Sequence, residues 1–206
     1  MRSLTKTELV LAQNICERFE EIGMFDSENG YDEPEEYYDN VDCYTGATRM
    51  CFITDELPGW VIKVNFKGIK FDYCKREAEN YADALSKGLE GYFASTYKVY
   101  ECADGRVVTV QEEVVVDEEA ITDSWYEYMR SHLDPEDYDS EEQMNDDVWD
   151  AIYDMDDYDR VEAIFGGDRK LHDFLYEHHI NDLHDGNWGT SDYSGLVILD
   201  FAGYGF

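Results

Sequence analysis

Hydrophobic positions along the chain change period several times. Leu4, Leu9, Val10, Leu11, Ile15, Phe19 and Ile22 recur at close to helical spacing, which predicts an amphipathic helix over residues 3–23 with Gly23 as its stop. From about residue 41 the pattern turns strand-like. CYTGATRMCFI and WVIKVNF flank a turn at Asp55–Gly59, where Pro58-Gly59 is the turn signal, and predict a hairpin or meander. Residues 72–87 predict a helix with Tyr73, Glu77 and Tyr81 on one face and Gly88 at its end. YFASTYKVYE and RVVTVQEEVVV predict two strands joined by Ala103-Asp104-Gly105. After Gly166-Gly167, KLHDFLYEHH predicts a helix, NDLHDGNWG a polar loop and LVILDF a short buried strand. This order is α+β, because helices and strands do not alternate as βαβ units.

Two acidic stretches modify that picture. Residues 26–42 hold eight acidic residues and no basic one, which predicts a solvated loop. Residues 117–159 hold 18 acidic residues against one basic residue, Arg130. Trp125, Tyr126, Tyr128, Met129, Val148, Trp149, Ile152 and Tyr153 are scattered through the second stretch. Their presence predicts acidic helices with apolar stripes, and Trp125, Trp149 and Tyr153 are expected in a core.

Composition narrows the function classes. The 206 residues suit one domain, or one domain with a decorated lobe. A hydrophobic content of 43% and an aromatic content of 15% suffice for a core and exclude disorder throughout. The formal charge of -33 excludes direct nucleic-acid binding through a basic footprint and disfavours an anionic membrane surface. It suits a basic protein partner. There is no apolar run of the roughly 20 residues a membrane helix needs, and the N-terminus lacks a signal-peptide pattern. The five cysteines are odd in number and form no CxxC pair, so the expected setting is a reducing cytoplasm, that of the host if the chain is viral.

Candidate chemistry concentrates in residues 180–203. Asp182 and Asn187 are five apart, and Asp200 follows after a hydrophobic strand. Oxygen side chains at the two ends of one loop–strand unit suit Mg²⁺, which takes a few protein oxygens and completes its shell with phosphate and water. Asp200 and Asn187 are the candidate metal ligands, and Asp182 is left as a base or hydroxyl-positioning group. By residue type alone the same Asp, Gly and Asn residues also suit ordinary turns. His172, His178, His179 and His184 fall within thirteen residues, but no cysteine lies nearby and no HExxH occurs, so His184 is expected to hydrogen-bond the loop and not to bind zinc.

The run D-L-H-x-x-N followed by D-F-x-G resembles the catalytic loop and metal-binding motif of the protein-kinase-like superfamily. The His after Asp-Leu resembles the aminoglycoside- and choline-kinase-like branches. Upstream, Trp60-Val61-Ile62-Lys63 resembles V-A-I-K. The resemblance implies that Lys63 holds nucleotide phosphates and pairs with Glu77, for which Glu79 is the competitor. It places Gln111-Glu112-Glu113-Val114 at an adenine-binding connection, with Glu112 and Val114 as nucleotide-binding positions. It implies a two-lobed fold with residues 1–113 as N-terminal helix plus N-lobe and 114–206 as a reduced, acidic helical C-lobe. ATP and Mg²⁺ are the implied cofactors, with Asp182 catalytic and Asn187 and Asp200 on the metal.

The sequence departs from that pattern in several places. Ile180-Asn181 stands where His-Arg is usual, one extra residue precedes Gly203, and Gly46 is the sole glycine of the phosphate-covering turn. Only three residues follow Gly203, so no activation segment or substrate platform is expected. The leading expectation is Mg-ATP-dependent transfer to a protein or small-molecule hydroxyl. The alternative is a non-catalytic, acidic kinase-like inhibitor or regulator, of a kind that includes phage-encoded DNA mimics, which binds a basic partner such as a nucleic-acid enzyme.

Overall fold

A computed structural model of the chain describes residues 2–26 and 40–203. Most of the first acidic stretch therefore lies outside the described residues. Among them the fold is α+β, with a five-stranded antiparallel sheet, a separate two-stranded hairpin and six α-helices.

The first helix, α1 (Lys6–Glu21), starts at a capping box. The Glu8 N–H donates to Thr5 Oγ1 at 3.2 Å and the Thr5 N–H donates to Glu8 Oε2 at 2.8 Å. Ala12, Ile15, Cys16 and Phe19 recur at helical spacing and are buried, and Phe19 packs on Phe25 and Phe52. Glycine at position 23 takes the left-handed conformation that turns the chain off the helix (φ 80°).

The sheet comprises β1 (Val41–Thr45), β2 (Arg49–Thr54), β3 (Trp60–Asn65), β4 (Thr96–Glu101) and β5 (Val107–Glu112), in the order β1-β2-β3-β5-β4. Strand side chains alternate between faces. Met50, Phe52, Ile62, Val64, Val108 and Val110 point to one face and form a core with α1. Arg49, Cys51, Val61 and Lys63 therefore point to the other face. Helix α2 (Tyr73–Lys87) packs against β4 and β5 between Asp72, which caps it, and a left-handed Gly88.

The predicted strand through residue 116 ends at Glu112. The Glu113 N–H turns to Gly59 O at 3.0 Å, and Val115 pairs with Thr190 through reciprocal bonds of 2.9 and 2.8 Å. The chain thus leaves the sheet to meet a second core.

That core is helical. Helices α3 (Glu118–Ser131), α4 (Glu141–Asp154), α5 (Asp157–Phe165) and α6 (Arg169–Glu177) are capped by Asp117, Ser140, Asp156 and Asp168. Asp117 and Asp156 of the acidic run thus bind helix N–H groups. Trp125, Val148, Ile152, Val161, Leu171 and Phe174 are buried together with Trp188 and Phe201. Trp149 and Tyr153 are not core residues, contrary to the sequence expectation: Tyr153 is 81% exposed. The inward stripe of α4 is Met144, Val148 and Ile152, and Trp149 sits one step round the helix against Tyr126. A further hairpin, β6 (Trp188–Ser191) with β7 (Gly195–Ile198), forms where sequence alone predicts a polar loop and one strand.

Candidate functional site

A cleft of about 320 Å³ lies where the open face of the sheet meets the loop before β6 and the segment after β7. Arg49, Val61, Lys63, Val114, Asn187 and Asp200 line it, with Glu112 and Leu199. A smaller recess of about 140 Å³, lined by Thr48, Tyr73, Asp182 and Asp200 among others, adjoins it.

Lys63 reaches the cleft because it alternates with Ile62 and Val64, which are committed to the core under α1. It pairs in register with Cys51 on β2 and Thr109 on β5, in the middle of the sheet. Glu77 reaches it from the buried stripe of α2, with Cys74, Asn80, Tyr81 and Ala84. The Lys63 Nζ to Glu77 Oε2 distance is 3.6 Å. Glu77 is fully buried, whereas the side chain of Glu79 is 56% exposed and lies 4.0 Å from Lys75.

Arg49 also lines the cleft, and the sequence reading did not single it out. It is 6% exposed. Its Nη1 donates to Glu77 Oε2 at 2.9 Å and its Nη2 pairs with Asp200 Oδ1. Arg49, Lys63, Glu77 and Asp200 thus form a four-charge group with no net charge. Burying such charges costs several kcal/mol per ion, so mutual pairing is what permits it. Burial alone would raise the Asp200 carboxyl, but Arg49 and Lys63 outweigh it and hold the group below the ordinary carboxylate range. Burial acts against the Arg49 charge as well, and Glu77 and Asp200 overcome it.

Helix α2 also fixes the segment that carries Asp200. The Phe201 N–H donates to Glu77 Oε1 at 3.3 Å, and Asn80 Nδ2 donates to Phe201 O at 2.7 Å. Both backbone groups of Phe201 are therefore held by one helix face. Gly203 has φ 74°, and a Cβ there would lie 2.5 Å from His178 O, so only glycine fits this turn.

Asn187 ends a short 3-10 turn, and its Nδ2 donates to Asp182 O at 2.5 Å. His184 accepts from the Gly186 N–H at 3.1 Å and so caps that turn. The other histidines disperse: His178 bonds Asp83 at 2.8 Å and His172 packs on Tyr158.

Glu112 and Val114 line the cleft at the connection between the cores. The Glu112 side chain is committed elsewhere. It is 1% exposed and accepts from Ser95 N at 3.3 Å, from Ser194 Oγ at 3.1 Å and from Ser191 Oγ. Gln111 reaches across from β5, donating to Leu199 O at 3.1 Å. Val114 packs on Gly189, where a Cβ would lie 2.5 Å from Val114 Cγ2.

The structure thus gathers Lys63, Glu77, Glu112, Val114, Asn187 and Asp200 around one cleft, with Asp182 in the adjoining recess. No sequence family and no curated protein matches the chain. Among solved structures it is similar to the GDP and kanamycin complex of APH(2")-IIia, at 14% identity and a TM-score of 0.36, over 82% of this chain and 69% of that chain. A likeness this distant adds nothing to the geometry. No helix among the described residues is long and apolar enough to cross a membrane.

Proposed function

We propose that the cleft binds a nucleoside triphosphate and that the chain is a kinase-like phosphotransferase acting on a protein or small-molecule hydroxyl. The observation that carries this reading is the convergence of a buried cation pair (Lys63 and Arg49), a buried Glu77, the Asp200 carboxylate and the Asn187 amide on one cleft. Phosphoryl transfer asks mainly for positioning and charge neutralisation, which such a group supplies.

In this reading the base lies between Val61 and Leu199, with the backbone at Glu112 and Val114 along its edge. Lys63, positioned by Glu77, takes phosphate oxygens. Asp182, in the recess beside Asp200, orients the acceptor hydroxyl and receives its proton. The oxygen donors of Asp200 and Asn187 fit Mg²⁺ in chemistry, and both line the same cleft. Bound there, Mg²⁺ would neutralise phosphate charge. The competing reading, an acidic inhibitor of a basic enzyme, rests on charge alone.

A thermal-shift titration with ATP and a turnover assay test the proposal. Wild type gains about 2.7 kcal/mol at a hundredfold excess over Kd. Asp182→Asn keeps that gain and loses phosphoryl transfer, to water or to an added hydroxyl acceptor, by about 10²–10⁴-fold. A folded wild type that shows no shift with any nucleotide would sink the assignment.

A further inference from the structure

Arg49 changes what the cleft needs from a metal. In the pattern that the chain resembles, a lysine and a glutamate pair, and a separate aspartate meets the cation. Here one carboxylate, Glu77, holds two cations side by side through the same oxygen: Arg49 Nη1 at 2.9 Å and Lys63 Nζ at 3.6 Å. The other arm of the guanidinium lies on Asp200 Oδ1. Asp200 is therefore already paired with a guanidinium that is 6% exposed and set at the start of a paired strand. Mg²⁺ gives up its water reluctantly and gains least from a carboxylate whose charge is cancelled. A guanidinium carries five N–H donors, so Arg49, with one bond from each arm to Glu77 and Asp200, keeps further donors for phosphate oxygens. Arg49 directly follows the turn at Gly46–Thr48, whose residues also line the cleft.

We propose that Arg49 is the resident counter-cation of this site: together with Lys63 it takes the phosphates of a nucleoside di- or triphosphate directly, so that nucleotide binding does not require a divalent cation. The inference rests on the nucleotide reading of the cleft and adds a metal-free binding mode to it. Nothing in it removes Mg²⁺ from the transfer step. It concerns what holds the ligand beforehand.

The experiment is calorimetric titration of the full chain with ADP, once in excess EDTA and once in Mg²⁺, on wild type and on Arg49→Gln. Wild type is expected to bind with affinities that agree within about threefold in the two buffers. Arg49→Gln is expected to lose about tenfold or more in EDTA, the worth of one charge-assisted phosphate contact, and to regain part of it in Mg²⁺. Wild-type binding that appears only with Mg²⁺ would overturn this inference and leave the nucleotide cleft standing. An Arg49→Gln protein that matches wild type in EDTA would do the same. Absence of ADP and ATP binding in both buffers would overturn the nucleotide reading and this inference with it. The wild-type comparison needs no variant and decides alone if Arg49→Gln does not fold. Arg49→Lys, which keeps the charge without the fork, is expected to fall between the two.

Discussion

Glu8 shows how much one side chain on α1 can hold. Its carboxylate caps the helix through the Thr5 N–H, accepts from the Trp60 indole at 3.0 Å and from Arg2 at 3.1 Å. Burial alone would push this carboxyl up, but the bonds from Trp60, Thr5 and Arg2 outweigh it and bring it from the ordinary 4.5 down to about 2. A carboxyl depressed by folding stabilises the fold above its unfolded pKa and loses that contribution as pH falls through its folded value. The advantage of wild type over Glu8→Gln should therefore be full at pH 5 and shrink steadily toward pH 2. Melting curves at pH 5, 4, 3 and 2 check this, and a pH-independent gap would exclude the ionic contribution. At this scale the sequence was only partly legible. Glu77 and Glu79 are equivalent in composition, and only the helix phase that buries Cys74, Asn80 and Tyr81 selects Glu77. Arg49 left no local signal, because its partners lie 28 and 151 positions away and meet it only once the sheet and α2 are packed.

Regular elements with a strong period were readable. Helices α1, α2 and α6 carry their own apolar stripes and stops, and the meander carries its own turns. Of the β6–β7 hairpin only the second strand was readable; β6 is four residues long and is buried by pairing, with no alternating pattern to mark it. What fixes it is Glu112, whose buried carboxylate gathers Ser95, Ser191 and Ser194. Glu112→Ala would leave those donors without an acceptor, and an unsatisfied buried polar group costs about 1–3 kcal/mol. We expect a loss of about 3 kcal/mol or more in denaturant unfolding, with faster exchange of the Val115 and Thr190 amides. A change below about 1 kcal/mol would show that the hairpin is held instead by the apolar contacts its Trp188 and Ile198 make in the helical core.

The whole molecule carries a formal charge of -33, far beyond what the few cations can pair. Part of the acidity is explained by the caps at Asp117, Asp156 and Asp168, which satisfy helix N–H groups. The ten acidic residues on α3 and α4 all face solvent and repel one another. Raising NaCl from about 20 mM to about 300 mM shortens the Debye length from roughly 20 Å to under 8 Å. The melting temperature should rise by several degrees, since each kcal/mol of relieved repulsion is worth roughly 2–4 °C in a domain of this size. A fall on adding salt would mean that attractive pairs dominate. The charge was plain in the sequence, whereas the two-lobed organisation and the connection at 111–114 came only from the family resemblance.

That meeting place behaves like a door with two unequal fastenings. On one side Gln111 and Glu112 tie the sheet to Leu199 and to the β6–β7 hairpin through shielded bonds. On the other, Arg49 grips Asp200, whose side chain remains 45% exposed to the cleft. Solvent and incoming anions can reach only the second. A ligand entering the cleft therefore meets the Arg49–Asp200 pair, while the Gln111–Glu112 edge, 3% and 1% exposed, stays out of its reach.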